Sequence, residues 1–157
     1  MTTLICYDLH GHQHPVAVDD LIFRPAAYGI FIENNHILLA QNKTTQLWHP
    51  PGGVLESGAT PIQSIRQSFT QIVGTVPHIG SLVFVEDQYL YQDNQGWHLS
   101  AMYHALYRPT ASTTSLFETA DETKWAWFEV TELQREQLQF GYEAIKAGHL
   151  YLKLQTH

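Results

Sequence analysis

A helix whose two ends are both marked in the sequence constrains the fold of this chain more than any other feature. Thr60 is a favourable N-cap residue, Pro61 suits the first helical position, and Gln63 completes a capping box with Thr60. Gly74 stands where the left-handed residue that ends a helix is expected. These signals predict a helix from Pro61 to about Val73.

The predicted helix has an apolar stripe and a polar side. We expect the stripe to pack against the core and the polar side to face outward. The stripe contains Ile62, Ile65, Phe69 and Val73, with Ile72 at its edge, and the polar side contains Gln67, Ser68 and Gln71.

Apolar segments rich in β-forming residues surround this helix in the sequence. Residues 27–33 and 36–41 flank Asn34 and Asn35, which tolerate positive φ, and this arrangement predicts a tight hairpin. Residues 79–86 and 98–107 flank a turn signal at 93–96, and another short strand begins at Trp125. A weaker pattern predicts a second helix over 131–147. The elements together indicate a mixed or antiparallel sheet.

The composition narrows the class of protein. Hydrophobic side chains make up 44% of the 157 residues, which fits a single domain over 1–157. Fifteen acidic residues against eight basic ones give a net charge of −7, which argues against a nucleic-acid partner. The single Cys6 cannot form an intrachain disulfide, and no apolar run has the length of a membrane span. We therefore expect a cytoplasmic protein that binds neither nucleic acid nor membrane.

The segment from Trp48 to Gly74 resembles the Nudix box of the Nudix hydrolase family. The chain reads WHPPGGVLESGATP before the helix, and the family signature is G-x5-E-x7-R-E-U-x-E-E-x-G-U, where U is a large apolar residue. Placing Gly53 on the first glycine of the signature puts Gly74 on the last without a gap. The resemblance covers about Arg24 to Lys146, which implies a domain core at about 24–147 after an N-terminal leader at 1–20.

This resemblance implies a fold and an activity. The fold is α+β, an α/β/α sandwich in which a mixed sheet lies between helices. The activity is hydrolysis of a phosphoanhydride in a nucleoside diphosphate-linked compound, with Mg²⁺ or Mn²⁺ as cofactor. The implied partner is a small nucleotide-type ligand, and the resemblance also permits a homodimer.

Five polar positions of the signature carry other residues in this chain. Because hard divalent cations prefer anionic oxygen ligands, the replacements predict that classical metal-dependent activity is impaired or lost. The alternative is a non-catalytic nucleotide-binding or regulatory module on the same fold, which needs no cofactor. Ala59 replaces the first glutamate, Gln67 the arginine, and Ser68, Gln71 and Ile72 the three helical glutamates.

The remaining acids and the glycine loop provide candidate site residues. Glu56 and Glu122 are the candidate catalytic carboxylates, and for each the alternative is a solvated loop residue. Glu56 and the Gly52 carbonyl are the candidate metal ligands. If hydrolysis survives, substitute ligands could also come from Glu86, Asp87, Glu118 and Asp121. The candidate substrate-binding residues are His49, Gly52, Gly53, Gln67, Gln71 and Trp97.

Two further groups leave alternatives open. His10, His12 and His14 alternate along an extended segment, so they could bind zinc or nickel, or they are polar surface. Trp97 or Tyr89 could stack on a planar ligand, or they belong to the core or surface.

Overall fold

The computed structural model of the chain describes residues 2–109 and 125–155. Within these ranges the chain forms a twisted sheet with one α-helix on each face, together with short 3₁₀ turns. The strands are β1 (Thr3–Tyr7), β2 (Gln13–Ala17), β3 (Ile22–Glu33), β4 (His36–Gln41), β5 (Trp48–His49), β6 (Gly52–Val54), β7 (His78–Gln92), β8 (Gln95–Tyr107) and β9 (Trp125–Glu129), and the helices are α1 (Pro61–Val73) and α2 (Tyr142–Gln155).

The sheet is mixed, as predicted. The strand order is β2-β1-β7-β8-β3-β4-β5, with β6 also paired to β3 and β9 to β4. β7 and β8 are antiparallel, whereas β3 and β8 run parallel from the Ile22–Trp97 pair to the Phe31–Leu106 pair. This parallel ladder joins the segment before the box to the segment after it.

Two tight turns confirm the hairpin predictions. Asn34 and Asn35 have φ of 52° and 62° between β3 and β4, and Asp93 and Asn94 have φ of 55° and 59° between β7 and β8. Positive φ at both central residues gives a turn that matches the right-handed twist of paired strands. β7 and β8 are longer than the predicted segments because pairing continues up to the turn at both sides.

Helix α1 has the predicted bounds. The Thr60 side chain accepts a hydrogen bond from Gln63 N, the Gln63 side chain accepts one from Thr60 N, and Gly74 has a left-handed φ of 74°. Ile65, Phe69 and Val73 are buried. Ile62 was expected in the same stripe but is 43% exposed, because the buried cluster on this face begins at Ile65.

The second helix differs from the prediction of residues 131–147. The chain makes 3₁₀ turns at Val130–Glu132 and Arg135–Gln137, and α2 begins only at Tyr142. Leu138 instead forms a parallel bridge with Trp48, and Gln139 N donates to Trp48 O at 2.9 Å. The backbone at 138–139 is therefore paired with β5 and cannot form helical hydrogen bonds. This tertiary pairing outweighs the spacing of apolar residues that predicted an earlier helix.

The first twenty residues, expected as a leader, contain an antiparallel hairpin of β1 and β2. β1 also pairs in parallel with β7 through Tyr7 and Leu90. The hairpin thus extends the sheet at one edge.

Alternate side chains of β3 belong to two separate buried clusters, one on each face of the sheet. Ile30 belongs to the cluster under α2, with Ala144 and Ile145, whereas Phe31 belongs to the cluster under α1, with Phe69. Helices on both faces of the sheet confirm the sandwich. Neither described helix combines the length and apolar character needed to cross a membrane.

Candidate functional site

A cleft of about 610 Å³ lies on the α2 side of the sheet. One wall comes from β7, another from the turn between β1 and β2, and a third from the segment that precedes α2. Residues lining the cleft include Tyr7, Asp8, Tyr28, Leu47, Gln88, Leu90, Gln139 and Phe140. We call this the main cleft.

A smaller cavity of about 270 Å³ adjoins the main cleft. Gln88, Gln139 and Phe140 line both spaces and so form the partition between them. The smaller cavity also contains Glu86 and Arg135. The main cleft, which is lined mainly by aromatic and apolar groups with a few polar ones, has the usual form of a ligand site.

The segment at 138–141 is held against the loop that precedes β6. The Leu138–Trp48 bridge and the Gln139 N to Trp48 O bond fix its first half. Gly141 has a φ of 95°, and a Cβ at that position would lie 3.0 Å from Pro50 Cδ. A glycine is therefore needed for this wall to approach the loop so closely.

His49 lies behind the main cleft rather than in it. Its ring stacks on Phe140 with centroids 5.1 Å apart, and its Nδ1 is 2.8 Å from Pro50 O. Burial lowers the pKa of the His49 imidazole, although the bond to Pro50 acts in the opposite direction. The ring is therefore mostly neutral near pH 7, and we expect it to position Phe140 rather than to attract phosphate by charge.

Gly52 and Gly53 are the first two residues of β6, and they pair with Tyr28 and Ala27 of β3. Gly52 has a φ of 147°, and a Cβ there would come within 2.1 Å of Ala27 O. A Cβ at Gly53 would meet nothing within 4 Å. The first glycine is thus required by packing against β3, and the second leaves open space beside the backbone.

A polar cluster stands at the inner side of the cavities. Tyr103 donates a 2.5 Å hydrogen bond to Glu86 Oε1, and Gln88 Nε2 donates to the same oxygen at 3.2 Å. Burial raises the pKa of the Tyr103 hydroxyl, and the bond to Glu86 adds to this. Burial likewise raises the pKa of Tyr28, with the Glu86 charge contributing. Both phenols therefore stay protonated near neutral pH.

The outward side of α1 lies apart from these cavities. Gln67 and Gln71 line a shallow, open depression with Arg66, Thr70 and Val76. Ser68 is half-buried, and Ile72 packs against the apolar cluster beneath the helix. Among residues 2–109 and 125–155, no group of three or more histidine, cysteine or acidic side chains is arranged to hold a metal ion. The donor set along this helix does not fit Mg²⁺ or Mn²⁺.

Comparison with known families identifies the family of this chain. A model of the NUDIX domain matches residues 23–147, which is most of the chain. The chain belongs to the Nudix family. The match includes the glycine loop, α1 and the wall at 138–141.

Solved structures agree with this assignment at the level of the fold. The MutT NUDIX hydrolase from Burkholderia pseudomallei has a TM-score of 0.61 at 15% identity, and the match covers 80% of this chain and 98% of that chain. An ADP-ribose pyrophosphatase from Streptococcus suis has 0.53 at 14%, over 85% and 92%. NrtR from Shewanella oneidensis has 0.62 at 12%, over 84% and 64%, and was also solved with a 27mer DNA. A search of curated proteins gives no match.

The residues of this chain that align with the glutamate positions of the Nudix signature are Ala59, Ser68, Gln71 and Ile72. Glu56 is exposed, and among the described residues none hydrogen-bonds to its carboxylate. Glu118, Asp121 and Glu122 lie outside the described residues. Asp87 is exposed and pairs with His98 Nε2 at 2.9 Å, whereas Glu86, the preceding residue of β7, lines the smaller cavity. The substitute acids within the described ranges are therefore not gathered at one point.

The other nominated residues of this Nudix chain lie in separate places. Trp97 is near the β7–β8 turn, and its indole nitrogen donates to Gln92 O at 3.3 Å. Tyr89 stacks on His98 with centroids 4.7 Å apart. The histidine cluster surrounds Asp8, whose Oδ2 is 2.9 Å from His14 Nε2 and 3.4 Å from His12 Nδ1. The bond to His14 lowers the pKa of Asp8 to about 2.

Sequence reasoning missed the residues that form the partition, which are Gln88, Gln139 and Phe140. A signal for the first was present, because Glu86 and Gln88 alternate on one face of a long strand. Polar residues repeated on an inward face often mark a site rather than a core. No comparable signal marked Gln139, because its position depends on pairing with Trp48.

Proposed function

We propose that this Nudix protein binds a nucleotide-type ligand in the main cleft and does not carry out classical cation-assisted cleavage at its box. The observation that carries the proposal is the contrast between an intact cleft and a box helix without carboxylates. The cleft has about 610 Å³, whereas the box positions on α1 hold two amides, a hydroxyl and an isoleucine.

The chemistry of the cation supports this contrast. Mg²⁺ in a Nudix-type site neutralises charge on the diphosphate and activates water, and both roles need anionic ligands to hold the ion. Gln67, Ser68 and Gln71 offer neutral groups, and Ile72 offers none. Losing the carboxylates together with the arginine favours a binding or regulatory role over drift at one position.

A second candidate is a hydrolase that has recruited other acids. Glu56 lies three residues after Gly53, is exposed, and is not engaged by any described residue. With the Gly52 carbonyl and Glu122 it could provide a different ligand set for Mg²⁺ or Mn²⁺. Names of similar structures, such as MutT NUDIX hydrolase and ADP-ribose pyrophosphatase, keep this candidate open.

Binding and turnover measured side by side separate the two candidates. ADP-ribose and a UDP-sugar are titrated into the protein by calorimetry in EDTA, and product release is then followed with excess Mn²⁺. We expect binding in EDTA and no turnover with Mn²⁺. Turnover that depends on Mn²⁺ and disappears in Glu56→Gln or Glu122→Gln, but not in the control Glu136→Gln, would establish the hydrolase instead.

The remaining expectations concern partners and location. With a net charge of −7, we propose a small-molecule partner and no nucleic acid, in a cytoplasmic protein. The DNA complex of NrtR makes a gel-shift assay with duplex DNA a direct check. A homodimer remains a proposal, to be tested by light scattering.

A further inference from the structure

We infer that the cavities select a planar ring whose edge donates hydrogen bonds, and that Gln88 and Gln139 make this selection. The inference rests on the proposed function, because it takes the ligand to be a nucleotide-type molecule. It goes further by stating that the hydrogen-bond-donating edge of the ligand's ring enters the cavities, and by naming the residues that bind this edge.

The first support is a pair of unsatisfied acceptors. The Oε1 atoms of Gln88 and Gln139 are buried, and neither has a hydrogen-bond partner among the described residues. The Gln88 amide nitrogen is already used, since it donates to Glu86 Oε1 and lies 3.4 Å from the Tyr103 hydroxyl. A buried carbonyl oxygen without a partner is costly, so both oxygens favour a ligand that brings N–H or O–H donors.

A third acceptor lies beside them. The hydrogen bonds that Glu86 accepts from Tyr103 and Gln88 both end on Oε1, and no described residue donates to Oε2. Glu86 and both glutamines line the smaller cavity. Three acceptor oxygens from three side chains that line the smaller cavity therefore have no donor among the described residues.

The lack of unpaired cationic side chains near these three acceptor oxygens, in the described part of the chain, disfavours the phosphate end of a nucleotide there. Among the described residues that line the main cleft there is no lysine or arginine. Arg135 lines the smaller cavity, but it pairs with Glu143 at 2.5 Å and lies 4.2 Å from the ring centroid of Tyr142. His10 is the one basic side chain among the described residues that line the main cleft, and it lies in the turn between β1 and β2. At the partition a phosphate would meet acceptor oxygens, so the ring and not the phosphate is expected there.

Aromatic side chains make the adjoining surface suitable for a ring. Tyr28 and Phe140 are in contact, with centroids 4.9 Å apart, and both line the main cleft. His49 stacks behind Phe140 and fixes its plane. Aromatic walls with amide and carboxylate acceptors at one end match an amino-substituted nucleobase, which has a flat apolar face and an N–H edge.

Two pairs of nucleotides test this selection on the unchanged protein. Guanosine and inosine diphosphate differ by one exocyclic amino group, as do adenosine diphosphate and the diphosphate of purine riboside. Calorimetry of the full chain in EDTA measures each Kd. We expect the amino-bearing member to bind at least about tenfold more tightly in one or both pairs, because the acceptors then gain their donor.

Variants then assign the selection to residues. Gln88→Met and Gln139→Met keep the side-chain length and remove the acceptor, and we expect each to reduce the amino preference to less than about threefold. Gln13→Met, at an exposed position of β2, is the matched control and should leave the preference unchanged. Thermal unfolding of each variant shows whether the fold is retained.

The outcomes distinguish the two proposals. Equal Kd values within both pairs, at measurable affinity, would overturn the selection and leave nucleotide binding in place. A preference that survives in both methionine variants would overturn the assignment to these glutamines. If none of the four nucleotides binds, the proposed function itself fails. Because the first comparison uses the unchanged chain, it stands even if a variant does not fold.

Discussion

Gly148 of α2 lies directly against Ile30 of β3, so closely that a Cβ on the glycine would come within 2.6 Å of Ile30 Cγ2. This contact sets the distance between the helix and the sheet under the cluster that contains Ala144 and Ile145. A methyl group at this position has to push α2 outward or force Ile30 into another rotamer.

We therefore predict that Gly148→Ala lowers the free energy of unfolding by about 1–3 kcal/mol, the usual cost of overpacking. The higher helix propensity of alanine offsets part of this cost. Urea denaturation measures the difference. Leu150→Ala on the same helix, at a side chain 60% exposed, should change stability by less than about 0.5 kcal/mol. An unchanged midpoint for Gly148→Ala would show that the helix shifts freely.

The Tyr103 hydroxyl is expected to contribute to stability as well as to the cavity. Tyr103→Phe removes the donor to Glu86 and leaves the carboxylate short of a partner, so we predict a loss of about 1.5–3 kcal/mol. Tyr151→Phe is the control, because its hydroxyl bond to Ser81 is exposed. Equal effects of the two substitutions in urea denaturation would contradict the prediction.

Stability should decrease in mildly acidic solution through two histidines. Burial lowers the pKa of both His49 and His149, and Lys153 and Lys146 add to the effect at His149. The unfolded chain therefore takes up protons first as the pH falls below about 6.5, so stability is full above that pH and declines down to the folded-state pKa. His49→Gln and His149→Gln should each flatten the decline in urea titrations between about pH 5 and 7.5. A double variant with the original slope would rule out this source.

The β7–β8 turn offers a test of backbone strain. Asn94 has a φ of 59°, a conformation that alanine adopts only at a cost of about 1–2 kcal/mol. Asn94→Ala should be destabilised by about that amount. Asn94→Gly should be as stable as the original chain or slightly more so, because glycine accepts this conformation. A thermal melt of both variants checks the order.

The parts of the fold that could be predicted are those determined by local chemistry. The capping box of Thr60 and Gln63, the stop at Gly74 and the two Asn-containing turns all depend on residues a few positions apart, and each formed as expected. The prediction of the second helix was wrong because the backbone of Leu138 pairs with Trp48, a residue far away in the chain. Such long-range pairing leaves no periodic signal.

In the candidate site, too, features that depend on local sequence could be predicted, and features that depend on long-range contacts could not. Gly52 could be nominated from the glycine motif, and its φ of 147° shows why that position cannot carry a side chain. Gln67 and Gln71 were nominated by alignment to the family signature, yet they lie on an open surface away from the main cleft. The partition of Gln88 and Gln139 depends on two distant segments meeting, and only the folded chain brings them together.

The parallel ladder between β3 and β8 has a consequence for biosynthesis. During translation, β3 leaves the ribosome long before β8, so the backbone edge of β3 that pairs with β8 stays unpaired while the glycine loop, α1 and β7 are still being made. Closing so large a loop costs chain entropy and slows folding. A nascent chain stalled ahead of β8 should bind chaperones that seek exposed strands, and release from them should begin only after that strand has emerged.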